Sequence, residues 1–282
     1  MKKFGWFLLS ILPVIVFITI QFAGTVVLMV WYMIRYGVEA GAQSALDNVM
    51  AIMVLTQVMT LFVTGLWYYF GVFRQKAVRG EKEKSPFSVK SLGGIFCIAI
   101  GAQCLIGLLL LGWSVVNPEQ IEVYNQMIEE SGIGELTILS AVATVIMAPI
   151  GEEIVCRGLT VEYLKRTGAG FWVINVVQAL LFGIMHLNLV QGAYAFLVGL
   201  ICGYLVLKYK NLLASMFFHG VFNAYSAFLT PAAERLEAMN PTVFYIGCLV
   251  VGAVMFSLGI WLMKKEFLKE EDGKLPGIGI GI

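Results

Sequence analysis

The residues that could do chemistry fall in three short runs of this 282-residue chain. Gly151-Glu-Glu-Ile-Val-Cys-Arg157 holds two adjacent carboxylates and a guanidinium. Phe182-Gly-Ile-Met-His186 holds one imidazole, and His219-Gly-Val-Phe-Asn223 holds another beside a carboxamide. These are the chain's only 2 histidines. On a helix, Glu153 and Arg157 share a face with the acid on the N-terminal side, the better order for an ion pair. Glu152 lies about 100° around the helix from Glu153, so the two carboxylates have different outlooks. Phe182 and His186 share a face, which Asn175 and Gln178 continue, and His219 shares one with Asn223.

A carboxylate and an imidazole can activate water together. A second imidazole and an amide N–H can hold a developing oxyanion. That set can hydrolyse an amide bond without a Ser or Cys nucleophile. His186, His219 and Glu152 could equally form a His₂Glu zinc site with an open position. No HExxH is present, and spacing leaves both chemistries open. Bland roles exist for each residue alone. Glu153–Arg157 is readable as a structural ion pair, either histidine as a helix–helix hydrogen bond, and Phe182 as packing. The five cysteines, Cys97, Cys104, Cys156, Cys202 and Cys248, are odd in number and lack a CxxC. They read as small buried hydrophobes.

The elements that must carry these residues are membrane spans. Apolar residues make up 59% of the chain, charged residues 13%, and the mean hydropathy is +0.85. A soluble domain carries nearly twice that charge. The formal net charge of +1 gives no reason to expect nucleic acid. Stretches long enough to span occur at 5–34, 50–73, 91–113, 135–161, 170–187, 191–207, 211–229 and 242–263. The fold class is therefore all-α, a polytopic membrane protein with about eight transmembrane helices. The fifth and sixth stretches are short and closely joined. The segment 114–133 has four glutamates and no basic residue, and suits a short amphipathic helix outside the membrane.

Basic residues recur in every second connection, at Lys2–Lys3, Arg74–Lys90, Lys165–Arg166, Lys208–Lys210 and Lys264–Lys274. Cytoplasmic loops retain Lys and Arg, so both termini are expected in the cytoplasm. Arg74–Lys90, with Ser85-Pro86 as a turn, reads as an ordinary connector rather than a lipid-binding switch. The tail from Leu275 is expected to be flexible. Charges at membrane depth cost about 2.5–3.5 kcal/mol each and so call for a function. Here they gather between Glu152 and Asn223, while the first three spans and the last nearly lack them. Counting about 1.5 Å per residue from the basic ends puts His219 and Asn223 roughly 14–20 Å deep and Glu152 at about 20 Å. His186 comes out deeper, so either the fifth helix is displaced or tilted, or its boundary lies elsewhere.

The three runs resemble the EExxxR, FxxxH and HxxxN motifs of the CPBP (CAAX protease and bacteriocin-processing, ABI) family of intramembrane proteases. They occur in the family's order across about a third of the chain. The resemblance implies a division into N-terminal transmembrane helices (1–134), a CAAX-protease-like catalytic core (135–229), and a last helix with a cytoplasmic tail (230–282). It implies an intramembrane endopeptidase acting on a peptide or protein substrate in the lipid bilayer, of CAAX type or in bacteriocin and peptide processing. Glu152 would be the base, His186 its partner, and His219 with Asn223 the oxyanion site. Glu153, Arg157 and Phe182 would organise the pocket. No cofactor is required by the preferred mechanism, and zinc is the alternative. Competing functions are a non-catalytic immunity or scaffold protein and a carrier using the Glu/His chain. The lack of inverted repeats counts against the carrier.

Overall fold

The computed structural model describes residues 2–80, 88–133 and 137–271, with side chains through Lys264. The Ser85-Pro86 turn and the tail from Leu275 lie outside the described residues. Among the described residues ten helices follow one another: α1 (Lys3–Tyr36), α2 (Val38–Asp47), α3 (Val49–Val78), α4 (Val89–Val116), α5 (Pro118–Glu130), α6 (Ile138–Lys165), α7 (Phe171–Met185), α8 (Leu189–Tyr209), α9 (Leu212–Met239) and α10 (Pro241–Glu271). No strand occurs among the described residues.

Seven of these helices, α1, α3, α4, α6, α8, α9 and α10, are long and apolar enough to cross a bilayer. Large apolar side chains such as Phe22, Phe62, Phe70 and Trp172 point outward. Such an exterior is stable only against lipid. The protein is an integral membrane protein.

The fifth expected span, α7, has only 15 residues. At 1.5 Å per residue that is about 22 Å, short of a hydrocarbon core of about 30 Å. It stops because Leu187 turns the chain with a left-handed φ of 54°. Asn188 then caps α8 by accepting the Gln191 N–H at 2.9 Å. The turn between α7 and α8 is therefore at membrane depth, and His186 sits just past the end of α7.

The acidic segment forms α5, started by Asn117, which accepts the Gln120 N–H at 3.2 Å, and by Pro118 at the first helical position. Trp113 Nε1 donates to Gln120 Oε1 at 3.0 Å and folds α5 back toward α4. Tyr124 on α5 meets Tyr194 on α8, with hydroxyls 3.2 Å apart.

Close contacts hold the bundle together. α4 packs on α10 through glycines seven apart on each side. A Cβ on Gly101 would come 2.7 Å from Phe256 N, and one on Gly259 2.6 Å from Gly94 O. α1 and α3 share a buried polar link, with Gln21 accepting from Thr56 at 2.7 Å and donating to Thr60 at 3.1 Å. At the other end of these helices, Arg166 lies 4.7 Å over the Trp6 ring, and Trp67 donates to the Tyr163 hydroxyl at 2.7 Å.

Candidate active site

α6 is continuous but irregular, and its irregularities frame the candidate residues. Ala143–Met147 and Ile154–Thr160 are wound as π-helix. Such widened turns concentrate at functional sites. Between them stand Pro149, Glu152 and Glu153. In the first π segment Ala148 N–H donates to Ala143 O. The same register assigns Thr144 O to residue 149, a proline with no N–H. Asn223 of α9 answers that carbonyl, its Nδ2 donating at 2.9 Å. Pro149 thus leaves the Thr144 carbonyl to a side-chain donor.

The two carboxylates do face differently. Glu153 has no exposed side-chain surface, and Glu152 keeps 15%. Glu153 Oε1 accepts from Arg157 Nη1 at 2.9 Å and from His219 Nδ1 at 3.0 Å. Since a carboxylate oxygen only accepts, His219 Nδ1 carries the proton. Its other nitrogen, Nε2, lies 3.7 Å from Glu152 Oε2, beyond hydrogen-bond range and so available. Arg157 also donates Nη2 to Gly199 O at 3.2 Å, and its guanidinium lies 4.3 Å over the Phe182 ring.

His186 caps the end of α7. Its Nδ1 is 2.8 Å from Phe182 O, an acceptor, so Nδ1 is the protonated nitrogen. The lone pair on Nε2 is left to act as a base or acceptor. Phe182 presents its ring edge-on to both imidazoles, with centroids 5.0 Å from His186 and 5.7 Å from His219. It is fully buried and is the surface on which both histidines and Arg157 are seated. Glu152 lies within electrostatic reach of His186. The structure thus gathers Glu152, Glu153, Arg157, Phe182, His186 and His219 around one point. Asn223 stands one turn further along α9 and faces Thr144.

α8 supports this group with backbone. Gly199 O accepts from both Arg157 and Gln178, the latter at 2.8 Å. Asn175 donates to Leu200 O at 3.1 Å. A Cβ on Gly203 would overlap the Asn175 and Gln178 amides, so only glycine fits there. Motif reading missed Thr144, Gly199 and Gly203. Thr144 was not recoverable from sequence, because in an ordinary helix Pro149 frees the carbonyl of residue 145, and the π turn moves the free carbonyl to Thr144.

Among the described residues, Glu153, Cys202 and His219 bring potential metal donors within 4.8 Å of one another. These three do not suit a divalent cation. Glu153 Oε1 is already taken by two donors, His219 Nδ1 is protonated, and the Arg157 guanidinium would repel the ion.

Residues 134–225 match the family model described as Type II CAAX prenyl endopeptidase Rce1-like. This segment, about a third of the chain, is similar to that family. The match agrees with the CPBP resemblance of the three motifs and takes in every residue of the cluster. No curated protein and no solved structure matches the chain. The family to which the segment is similar is a protease family.

Proposed function

We propose that this protein is an intramembrane endopeptidase in which Glu152 activates the attacking water. The supporting observation is the contrast between neighbours: Glu153 is sealed and held by Arg157 and His219, while Glu152 is partly open and faces His219 Nε2 at 3.7 Å. One carboxylate organises, and the other is free to take a proton.

A water between Glu152 and His186 would donate one hydrogen to the His186 Nε2 lone pair and the other to Glu152. As Glu152 takes its proton, the water oxygen bonds to the scissile carbonyl carbon. The developing oxyanion is met by His219 and Asn223. His219, with Nδ1 held by the Glu153 carboxylate, turns Nε2 toward the oxyanion and donates to it when that nitrogen carries a proton. Asn223 has a second amide hydrogen, oriented by the bond its first makes to Thr144 O. The C–N bond then breaks, and the proton held by Glu152 passes to the leaving amine. No step needs a metal. The substrate class proposed is a CAAX-type C-terminal peptide, in keeping with the description of the matching family. Processing of a bacteriocin or other peptide precursor is the other substrate class the motifs admit. Both termini are placed on the basic, cytoplasmic side.

The test is cleavage of candidate peptides by purified protein, with Glu152→Ala and His219→Ala beside wild type. Loss of cleavage in both folded variants supports the reading. Full cleavage in both removes these residues from the chemistry. A wild type that binds but never cleaves such peptides indicates the scaffold role instead.

A further inference from the structure

α7 is too short to cross the bilayer, so two helix ends meet at its turn into α8 within the membrane. A helix end leaves its first N–H or last C=O groups without intrahelical partners. At this turn the Asn188 side chain answers the Gln191 N–H, and the Ile184 carbonyl answers the Leu187 N–H at 3.1 Å. Two helix ends hold more polar backbone than these bonds engage. Hydrocarbon cannot serve that backbone, and irregular chain at membrane depth persists only where protein buries it or water reaches it. Protein does not cover this turn: Leu187 keeps 73% of its surface and Leu189 64%. The turn is therefore a wet notch in the bundle.

The notch adjoins the Glu152 cluster. His186 is the residue just before Leu187, and its Nδ1 bond to Phe182 O leaves the Nε2 lone pair free. Tyr194, on the second turn of α8, packs its ring against the core. Its hydroxyl lies 3.2 Å from that of Tyr124 on α5 and within electrostatic reach of Glu152. The two rings meet edge to face, with centroids 6.2 Å apart. α5 keeps Glu119, Glu122, Glu129 and Glu130 exposed, so its outer side faces water. A phenylalanine would fill the same space as Tyr194. The hydroxyl adds a group that can both donate to and accept from water, placed between a water-facing helix and the carboxylate.

We propose that the water consumed at Glu152 enters through this notch, from the end of the bundle that carries α5, and reaches the carboxylate past the Tyr194 hydroxyl. Tyr194 is a positioning residue: it hydrogen-bonds the incoming water and holds it toward Glu152 and His186. Tyr124 only ties α5 to α8 beside the notch. The wetting of the turn follows from the short α7, while the use of its water in hydrolysis rests on the peptidase role proposed for Glu152.

The test uses the full chain in phosphatidylcholine nanodiscs, which leave both membrane faces open to solution. Leu187→Cys and Leu189→Cys are treated with a permanently charged methanethiosulfonate, beside Leu180→Cys, which lies deeper on an exposed side of α7. The mass gained is followed with time, and wild type corrects for the native cysteines. Thiols react as thiolates, which apolar surroundings suppress, so both turn variants should react roughly tenfold faster than Leu180→Cys. Single-turnover cleavage is then compared in Tyr194→Phe and Tyr124→Phe. Both lose the tie between α5 and α8, but only Tyr194→Phe loses the hydroxyl near Glu152. Tyr194→Phe should cleave bound peptide roughly tenfold more slowly, the weight of one hydrogen bond, with peptide affinity unchanged. Tyr124→Phe should stay within about twofold of wild type. Labelling of the turn no faster than that of Leu180→Cys overturns the proposal. So does equal slowing in both phenylalanine variants, which marks a structural tie, or wild-type cleavage by Tyr194→Phe. A wild type that cleaves nothing removes the peptidase role instead, and the labelling still decides whether the notch is wet.

Discussion

Asn223 donates its side-chain amide to the backbone carbonyl of Thr144, 79 positions earlier, at 2.9 Å. That carbonyl has no helical partner because residue 149 is proline. The bond joins α9 to the irregular part of α6 and fixes how the carboxamide is turned. A residue expected from its motif to touch substrate thus has a second, structural duty.

Removing this amide should destabilise the fold. Asn223→Ala leaves the Thr144 carbonyl unanswered, at a cost of about 1–3 kcal/mol. Pro149→Ala restores an N–H where the helical register needs it. The double variant should therefore lose less stability than Asn223→Ala alone, by thermal or denaturant unfolding in detergent. If the two single effects simply add, the carbonyl does not link them. Cleavage should remain low in the double variant, since the proposed oxyanion donor is still missing.

The Glu153–Arg157 pair should behave as a buried unit. Arg157→Met strands the Glu153 carboxylate and should cost about 3–5 kcal/mol. Glu153→Gln with Arg157→Met removes both charges and should recover much of that loss. Unfolding midpoints for the two singles and the double check this. A double variant worse than either single contradicts the pairing. His219 should also lose its fixed orientation in Glu153→Gln, so cleavage falls there through geometry and stability together.

The hairpin of α7 and α8 should be intolerant of one methyl group. Gly203→Ala places a Cβ against Asn175 and Gln178, which hold the two helices through the Gly199 and Leu200 carbonyls. A loss of about 1–3 kcal/mol is expected from the overpacking alone. Gly247→Ala meets nothing within 4 Å and serves as the control. Equal midpoints for the two variants would show that α7 and α8 can separate without cost.

Much of this was legible in the sequence. Among the described residues each of the eight apolar stretches falls on a helix, because length and hydropathy report directly on what a bilayer requires. The three motifs fall on α6, α7 and α9 and converge, because each pairs residues four apart on one helical face. The Glu153–Arg157 ion pair forms as that spacing expects, even though Arg157 lies in a π segment. What escaped was whatever depends on backbone rather than side-chain type. The π turns of α6 leave no trace in a 3.6-residue pattern. The Gly199 carbonyl serves Arg157 and Gln178 only because α7 and α8 meet closely, and nothing in a glycine's identity says which neighbour it admits. His186 lies at the end of α7, where a left-handed turn at Leu187 stops the helix, and no residue type announces such a turn.

The central claim is that the adjacent carboxylates have separate tasks, chemistry for Glu152 and architecture for Glu153. The most direct measurement compares Glu152→Gln with wild type in unfolding and in single-turnover peptide cleavage, with Glu153→Gln alongside. Glu152→Gln should keep the wild-type midpoint while cleavage falls by about 10²–10⁴-fold, the range for loss of a general base. Glu153→Gln should lower the midpoint. Wild-type cleavage by Glu152→Gln, with the loss confined to Glu153→Gln, would contradict the account.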